Sequence, residues 1–356
     1  MKKKFLLFWL LVITAFSATA CAEQVKQAQG FKKNKEEQAK LQIFAMDTIM
    51  ELQASGENAE IGLDNAEKEI HRLDRLFSIT EKESEVTKIN ENAGIGPVEI
   101  SQDTKDLLVS AKEINELTKG AFDITVEPVV KAWGFTEEVH HVPSMEKLKE
   151  LLTLVDEKSL EVKEEENTAF LKRQRMALDL GGIAKGYTSD RVTQLLKSQG
   201  ITSAILSLGG NISAIGLRED GEKWNVAVQD PINTSEYVGV LHVNDQSVIT
   251  SGGYQRFFEE DGKVYHHIIN PKTGHPAEEG LLSVTIISAN GTKADGLSTA
   301  LFVLGLDKAT EVWRASEDFE VVFVTDQKQV FVTEGIAADF VFNGQKQGYT
   351  CDVIKR

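Results

Sequence analysis

The sequence has few of the residues that cross-link or divide a chain. Its 356 residues include two cysteines and six prolines. Cys21 and Cys351 alone cannot form a disulfide framework or a cysteine-based zinc site. No fixed-period repeat and no proline-rich linker interrupts the chain beyond its first 40 residues. We therefore predict one compact unit over residues 41–356, of mixed α/β (α+β) class.

Long apolar runs and excess basic charge are also lacking. The apolar stretch Phe5–Phe16 is shorter than the roughly 20 residues that a membrane-spanning helix needs. The chain has 55 acidic residues against 39 basic ones, and its net charge is −16. This balance predicts no basic patch for nucleic acid. An acidic protein that binds a polyanion is helped by a divalent cation, which offsets the repulsion.

The N-terminus has the pattern of an export signal. Lys2, Lys3 and Lys4 precede the apolar stretch, and "SATAC" ends it with small residues and Cys21. This ending resembles a bacterial lipobox, which predicts a signal peptide over 1–20 and lipidation of Cys21. An ordinary secretory signal with a chance cysteine is the alternative. Residues 21–40 are polar and predict a tether, so we expect a lipid-anchored protein on the extracytoplasmic face of a bacterial membrane.

Apolar spacing predicts the main helices and strands. Helices are expected over 57–76, from Ser101 to Gly120, and from Asn290-Gly291 to Leu306. "TSAILSLGGNISAIG" predicts a strand, a Gly-Gly turn and a second strand. Further strands are predicted in "KWNVAVQDP", "VGVLHV", "QSVITSGG" and "LLSVTIISAN". Their order in a sheet does not follow from the sequence.

The stretch "MALDLGGIAKGYTSDRV", residues 176–192, combines a strand-like end, two glycines and a helix start. Lys185 falls in the first turn of that helix. Glycines admit an anion close to the backbone, and a helix N-terminus favours negative charge. The spacing matches neither GxxxxGK[ST] nor GxGxxG. The stretch is therefore either a phosphate cradle or a tight strand–helix connection with a surface lysine.

In "GTKADGLSTALFVLG", Asp295 and Thr299 are four residues apart and would share a helix face. A carboxylate and a hydroxyl are hard oxygen ligands that suit Mg²⁺. The alternative is structural, because Thr292 and Asp295 have the spacing of a capping box.

Two more segments carry candidate polar side chains. In "VYHHIINPKTGHP", His266 and His267 would point to opposite faces of a strand, so at most one faces a site and the other is expected to face solvent. In "TKGAFDITVEP", Asp123 lies between apolar residues. It needs a donor if it is buried, and a capping or turn role is the alternative.

Taken together, these segments resemble the ApbE-type FAD:protein FMN transferases, an exported family of flavin transferases. The similarity runs in order through "AMDTIM", "SEVTKINENAG", "KGAFDITVEPVVKAWGF", "LDLGGIAKGYTSDRV", "SLGGNISAIG", "WNVAVQDP", "SVITSGGYQRFFEEDGKVYHHIINPKTGHP" and "KADGLSTALFVLG". The resemblance implies a fold that is not a Rossmann fold, FAD as substrate, and Mg²⁺ on its diphosphate. It also implies a threonine acceptor on a partner protein, phosphoester-linked FMN as product, and AMP as leaving group.

The resemblance also implies roles for residues at the matching positions. Asp179 and Lys185 would contact FAD, and Ser298 would lie against the flavin nucleotide. The implied metal ligands are the Gly182 carbonyl, Asp295 and Thr299. Other residues would line the FAD site: Met46, Asn90, Ala121, Phe122, Asp123 and His267. Lys185 and Asp295 would support catalysis through charge. His267, with an expected pKa near neutral, is the candidate base, and an aspartate or a metal-bound group is the alternative.

The acceptor motif of such enzymes resembles Asp or Glu, two variable residues, Ser-Gly-Ala, Ser or Thr, and Thr. No Ser-Gly-Ala triplet occurs in this chain, which predicts that the acceptor is another exported protein. The chain has Asp47 where many relatives have glycine, and Asn270 where many have aspartate. Two alternatives remain: an FAD pyrophosphatase that gives FMN and AMP, and a lipoprotein that binds a flavin or another solute without turnover.

Overall fold

The structure is a computed structural model that describes residues 38–137 and 139–356. The helices are α1 (Ala59–Phe77), α2 (Glu85–Glu91), α3 (Gln102–Leu117), α4 (Glu127–Ala132), α5 (Met145–Leu152), α6 (Ala184–Ser198) and α7 (Gly291–Arg314). The strands are β1 (Gln38–Ala45), β2 (Thr48–Ser55), β3 (Val98–Glu99), β4 (Leu160–Lys163), β5 (Thr168–Leu171), β6 (Ser203–Leu208), β7 (Asn211–Ile215), β8 (Trp224–Gln229), β9 (Tyr237–Val243), β10 (Ser247–Gly252), β11 (Phe257–Glu260), β12 (Lys263–His266), β13 (Leu281–Ser288), β14 (Glu320–Thr325), β15 (Gln329–Thr333), β16 (Phe340–Phe342) and β17 (Thr350–Ile354).

One large sheet organises the fold. Its nine strands have the order β1-β2-β6-β7-β10-β13-β14-β15-β17. Neighbours pair antiparallel, except β15 and β17, which are parallel. Two three-stranded sheets, β16-β9-β8 and β3-β5-β4, and the β11-β12 hairpin complete the described strands. A Rossmann fold has a parallel sheet, so the predictions of a mixed α/β class and of a different fold are confirmed.

Both faces of the large sheet are covered, as the alternation in β14 illustrates. Val321 and Phe323 belong to the core beneath α3 and α7. Val322 and Val324 belong to a second core that includes the inner residues of β8 and β9. Side chains of successive residues in a strand point to opposite faces, so a nearly continuous apolar run is expected for a strand buried on both sides.

The predicted helices are present with shifted ends. The first is α1, and Ser101 is the N-cap of α3, where its Oγ accepts from the Thr104 amide at 3.3 Å. α7 extends beyond the predicted end at Leu306 to Arg314. It contains a kink at Gly305, whose φ of 75° is one that side-chain-bearing residues rarely adopt.

The predicted tether 21–40 is too long at its C-terminal end. Gln38 and Lys40 are in β1, where they pair with Ser55 and Gln53. Alternate residues of β1 pack on the core formed with α1 and α6, which explains why the strand begins there. The predicted signal peptide over 1–20 and the lipidated Cys21 lie outside the described residues. Among the described residues, no helix combines the length and apolar character needed to cross a bilayer.

Candidate active site

A cavity of about 980 Å³ opens where the first turns of α6 and α7 meet the β1–β2 hairpin. This is the upper part of the size range of small-molecule sites, which suits a dinucleotide. Its border is contributed by segments from the whole fold. They are residues 44–48, 74–81 in part, 121–136 in part, 179–185 in part, 209–211, 250–256 in part, 267–271 in part, Gln229, Thr234, Asp295 and Thr299.

The glycine turn before α6 is held by hydrogen bonds from outside its own segment. Leu178 exchanges two hydrogen bonds with the Asn90 side chain: its amide donates at 2.7 Å and its carbonyl accepts at 3.1 Å. The Asp179 amide donates to the Ile124 carbonyl at 2.8 Å. These bonds take the place of those to a neighbouring strand, and residues 176–180 form no strand, unlike the predicted strand-like end of this segment.

Within the turn, Gly181 is exposed, and the Asp179 side chain accepts a hydrogen bond from its backbone. The Gly181 amide donates to Asp179 Oδ1 at 2.7 Å, and Lys185 Nζ donates to the Gly181 carbonyl at 3.3 Å. Lys185 lies in the first turn of α6, as predicted, and borders the cavity. A positive side chain and a helix N-terminus therefore face the same space, an arrangement that favours an anion.

The first turns of α7 place Asp295 and Thr299 on the cavity border together, which confirms the predicted shared face. Asp295 is buried, and its Oδ2 accepts from the Gly186 amide of α6 at 2.8 Å. Thr299 Oγ1 lies 3.2 Å from Ser251 Oγ. The capping-box alternative is wrong, because Asn290 is the N-cap and accepts from the Lys293 amide at 2.8 Å.

The glycine turn lies directly against α7. A Cβ atom placed on Gly182 would be 3.6 Å from Thr299 Oγ1 and 3.1 Å from Phe122 Cε2. The three residues predicted to hold a metal, Gly182, Asp295 and Thr299, are thus brought together. Their donors would be a carbonyl, a carboxylate and a hydroxyl, all hard oxygen ligands.

The residues present suit Mg²⁺ better than a metal ion whose ligands all come from the protein. Within residues 38–137 and 139–356, no group of three or more His, Cys, Asp or Glu residues is placed to hold a metal. Mg²⁺ is typically bound by one or two carboxylates, with substrate phosphates and water as the remaining ligands. One carboxylate beside a site for an anion satisfies that pattern.

The charges on the cavity border also favour a cation. The carboxylates are those of Asp47, Asp74, Glu81, Asp123, Asp179 and Asp295, and the permanent cations are those of Arg75, Lys185 and Arg256. Because the carboxylates outnumber the cations, a diphosphate would meet net repulsion without a divalent ion.

Of the two adjacent histidines, His267 borders the cavity and His266 does not. This agrees with the prediction that at most one of them faces a site, but the expectation that the other faces solvent is wrong. His266 is half-buried, with Nε2 2.9 Å from the Ala277 carbonyl and its ring edge-on to Phe302.

The expectation of a near-neutral pKa for His267 is also wrong. Burial lowers the pKa of His267 to about 4, with a smaller contribution from the positive charges of Arg256 and Lys185. The imidazole is therefore neutral at pH 7. Its Nδ1 is 3.1 Å from the Arg256 carbonyl, which only accepts, so Nδ1 carries the proton and Nε2 has a free lone pair.

Sequence and fold comparisons agree on one group of proteins. The profile of the ApbE family matches residues 46–323. The chain belongs to the ApbE family. It is 36% identical over 265 residues to a FAD:protein FMN transferase of Klebsiella pneumoniae, covering 74% of this chain and 82% of that protein. A FAD:protein FMN transferase of Treponema pallidum is 36% identical over 281 residues, covering 75% of this chain and 78% of that protein.

Solved structures of ApbE proteins have the same fold. The crystal structure of the ApbE protein from Thermotoga maritima has a TM-score of 0.79 at 31% identity, covering 85% of this chain and 99% of that one. The flavin transferase ApbE from Vibrio cholerae has a TM-score of 0.78 at 28% identity, with the same coverage. The predicted membership of this family of transferases is confirmed.

Most residues that the ApbE resemblance assigned to FAD border the cavity. Besides those described above, they are Met46, Ala121, Phe122 and Asp123. Asp123 is both a partly buried carboxylate with a hydrogen-bond donor and a turn cap, the two roles considered from the sequence. Its Oδ1 accepts from the Thr125 amide at 2.8 Å, which caps a short 3₁₀ turn, and burial raises the pKa of its carboxyl.

Met46 and Asp47 form the two-residue loop of the β1–β2 hairpin, with φ values of 48° and 58°. Positive φ at both loop residues is typical of a type I′ turn and favours glycine. Asp47 therefore occupies a backbone conformation that suits glycine.

Two predicted FAD residues of this ApbE protein are not on the cavity border. Asn90 lies behind the glycine turn and holds Leu178. Ser298 is fully buried; its Oγ donates to the Asp295 carbonyl at 2.8 Å and lies 2.7 Å from Ser251 Oγ. Their observed contacts indicate a supporting position for both.

Sequence reasoning missed several residues of the cavity. Ser251, Tyr254 and Arg256 border it, and all three occur in the segment "SVITSGGYQRFFEE". Burial raises the pKa of Tyr254 to about 12, and Arg256 Nη2 donates to the Phe135 carbonyl at 2.6 Å. A cluster of glycine, tyrosine and arginine before a hairpin was the available signal.

Proposed function

We propose that this ApbE-family protein transfers FMN from FAD to a threonine hydroxyl of another exported protein and releases AMP. The observation that carries the proposal is the convergence of Gly182, Asp295 and Thr299 beside Lys185 at one cavity. The names of the curated relatives support FAD as the flavin donor.

The reaction exchanges one oxygen substituent on phosphorus. The threonine oxygen forms a bond to the FMN phosphorus of FAD, and the bond from that phosphorus to the bridging oxygen breaks. AMP leaves with the bridging oxygen, and the hydroxyl proton passes to a base. Since negative charge builds on the leaving phosphate, groups that neutralise it lower the barrier.

Lys185 would supply one of these charges, and the Gly182 carbonyl, Asp295 and Thr299 would hold Mg²⁺. When bound, Mg²⁺ supplies Lewis-acid neutralisation of the diphosphate oxygens. The Gly186 amide donates a hydrogen bond to Asp295 Oδ2, so the carboxylate is oriented before substrate arrives.

His267 is the candidate proton acceptor. Its neutral imidazole has a free lone pair on Nε2 at the cavity border. The low pKa keeps this form present at neutral pH but weakens it as a base. The negative charge of bound FAD would raise that pKa and thereby strengthen it.

We also propose that the chain acts at the extracytoplasmic face of a bacterial membrane, held by lipid on Cys21. The lipobox-like "SATAC" and the polar residues that follow it support this location. A partner that receives FMN there would present its threonine on an exported domain.

The test is to incubate the protein with FAD and Mg²⁺, with and without an exported acceptor that carries the threonine motif. The transferase predicts AMP release that depends on the acceptor and stops on chelation of Mg²⁺. AMP and free FMN in equal amounts without acceptor would identify a pyrophosphatase. FAD binding without AMP in either case would identify a binding protein and contradict the proposal.

A further inference from the structure

The first turns of α6 and α7 approach each other through glycine. A Cβ atom on Gly186 would lie 2.2 Å from the Gly291 carbonyl oxygen, and one on Gly291 would lie 2.9 Å from Asp190 Oδ1. Real Cβ atoms do not reach such distances, so the two backbones are in direct contact. The separation of the two helices is therefore fixed at this crossing.

Each helix also sends one carboxylate to backbone amides of the other. From α7, Asp295 Oδ2 accepts from the Gly186 amide at 2.8 Å. From α6, Asp190 Oδ1 accepts from the Gly291 amide at 2.8 Å, and its Oδ2 accepts from the Thr292 amide at 2.8 Å and from Thr292 Oγ1 at 2.6 Å. The amides of an N-terminal helix turn have no partner within the helix, and a carboxylate there is favourable.

Asp190 does not border the cavity, and both of its oxygens are occupied by α7. It can therefore affect a ligand only through the position of α7. One turn further along that helix is Asp295, and Thr299 follows on the same face. A shift of the first turn would move both away from the Gly182 carbonyl.

We infer that Asp190 is a positioning residue for the candidate magnesium site, acting by locking the first turn of α7 onto α6. The inference rests on the proposed function, since it concerns the metal site of that reaction. An asparagine has a single acceptor oxygen, and its amide group would face a backbone N–H. Asp190→Asn therefore loosens the contact with little change in volume.

The experiment compares Asp190→Asn with Asp230→Asn. Asp230 is also buried and also accepts three hydrogen bonds, from the amides of Ile232 and Asn233 and from Tyr349 Oη. None of these partners is on α6 or α7. Two quantities are measured for each protein besides the melting temperature: the Mg²⁺ dissociation constant by calorimetry without FAD, and the Mg²⁺ concentration for half-maximal AMP release.

Partners that orient metal ligands typically change metal affinity by about 10- to 100-fold when they are mutated. Asp190→Asn should therefore raise both Mg²⁺ constants at least about tenfold. Asp230→Asn should lower the melting temperature and leave both constants at the wild-type value. Unchanged constants in a folded Asp190→Asn variant would overturn the inference.

A second variant covers the case in which Asp190→Asn does not fold. Thr292→Val retains both backbone hydrogen bonds to Asp190 and removes only the one from Thr292 Oγ1. A smaller rise in the Mg²⁺ constants supports the inference, and wild-type constants overturn it. If the wild-type protein itself shows no response to Mg²⁺, the metal-dependent function is contradicted and the inference falls with it. A responsive wild type with unaltered variants contradicts the inference alone.

Discussion

Replacing Asp295 with asparagine and, separately, with alanine distinguishes a metal ligand from a structural carboxylate. Asparagine retains an oxygen that can accept from the Gly186 amide, so its cost in stability should be about 1 kcal/mol. Alanine leaves that buried amide without a partner, which costs about 1–3 kcal/mol. If Asp295 were only structural, activity would follow this order, and the asparagine variant would remain active.

A metal-binding role for Asp295 predicts a different pattern for activity. Both variants lack the negative oxygen that Mg²⁺ requires, and the metal contributes several kcal/mol to charge neutralisation in such reactions. We therefore expect both to lose more than about a hundredfold in the rate of AMP release. The loss should be similar for the two variants although their stabilities differ.

The assay measures AMP release at saturating FAD and Mg²⁺, with the melting temperature of each variant recorded under the same conditions. Activity is compared only at temperatures where both variants are folded. A folded Asp295→Asn variant with near wild-type AMP release would remove Asp295 from the metal site. Partial recovery of Asp295→Asn at high Mg²⁺ would agree with weakened metal binding.

Three further predictions address charge, protonation and location. Lys185→Ala should lower kcat/KM for FAD by roughly ten- to a hundredfold. The control is Lys197→Ala, in the last turn of the same helix and paired with Asp245, which should leave kcat/KM unchanged. Equal kinetics for both variants would refute a role for Lys185. Burial raises the pKa of Glu127 to about 7, so its ionisation destabilises the fold as pH rises from about 4.5 to 7. Glu127→Gln should therefore stabilise the protein by up to about 3 kcal/mol at pH 8 and not at pH 4. An equal change in melting temperature at both pH values would contradict this. Cys21→Ser should release the chain from membranes or block its processing; a processed variant that still sediments with membranes would contradict the lipobox.

The sequence predicted elements whose signals are local. Ser101 is an N-cap followed by apolar residues at helical spacing, and α3 begins directly after it. Asp295 and Thr299 share a face because a helix of any context brings residues four apart together. These predictions needed only the period of the element and its capping residue.

The errors concern contacts between residues far apart in sequence. The alternating apolar residues from Met176 to Leu180 have the pattern of a strand. However, the side chain of Asn90, 88 positions before Leu178, makes the hydrogen bonds to Leu178 that a neighbouring strand would make. Likewise, Thr292 has the spacing of a cap, yet its amide donates to Asp190, 102 positions away. Spacing within a segment does not contain this information.

The pKa of His267 depended on the same kind of contact. An isolated histidine titrates near neutral pH, which made His267 a plausible base from sequence. The fold buries it beside Arg256, eleven positions before it, and near Lys185. The sequence therefore identified the side chain that borders the cavity but not its protonation equilibrium.

The intact mass of an acceptor protein, measured after incubation with this enzyme, FAD and Mg²⁺, distinguishes FMN transfer from hydrolysis of FAD and from binding alone. If FMN is transferred, the acceptor gains the mass of one FMN less one water, and one AMP is released per modified chain. Changing the acceptor threonine to alanine should abolish the gain. An unmodified wild-type acceptor in a reaction that nevertheless releases AMP would contradict FMN transfer by this protein.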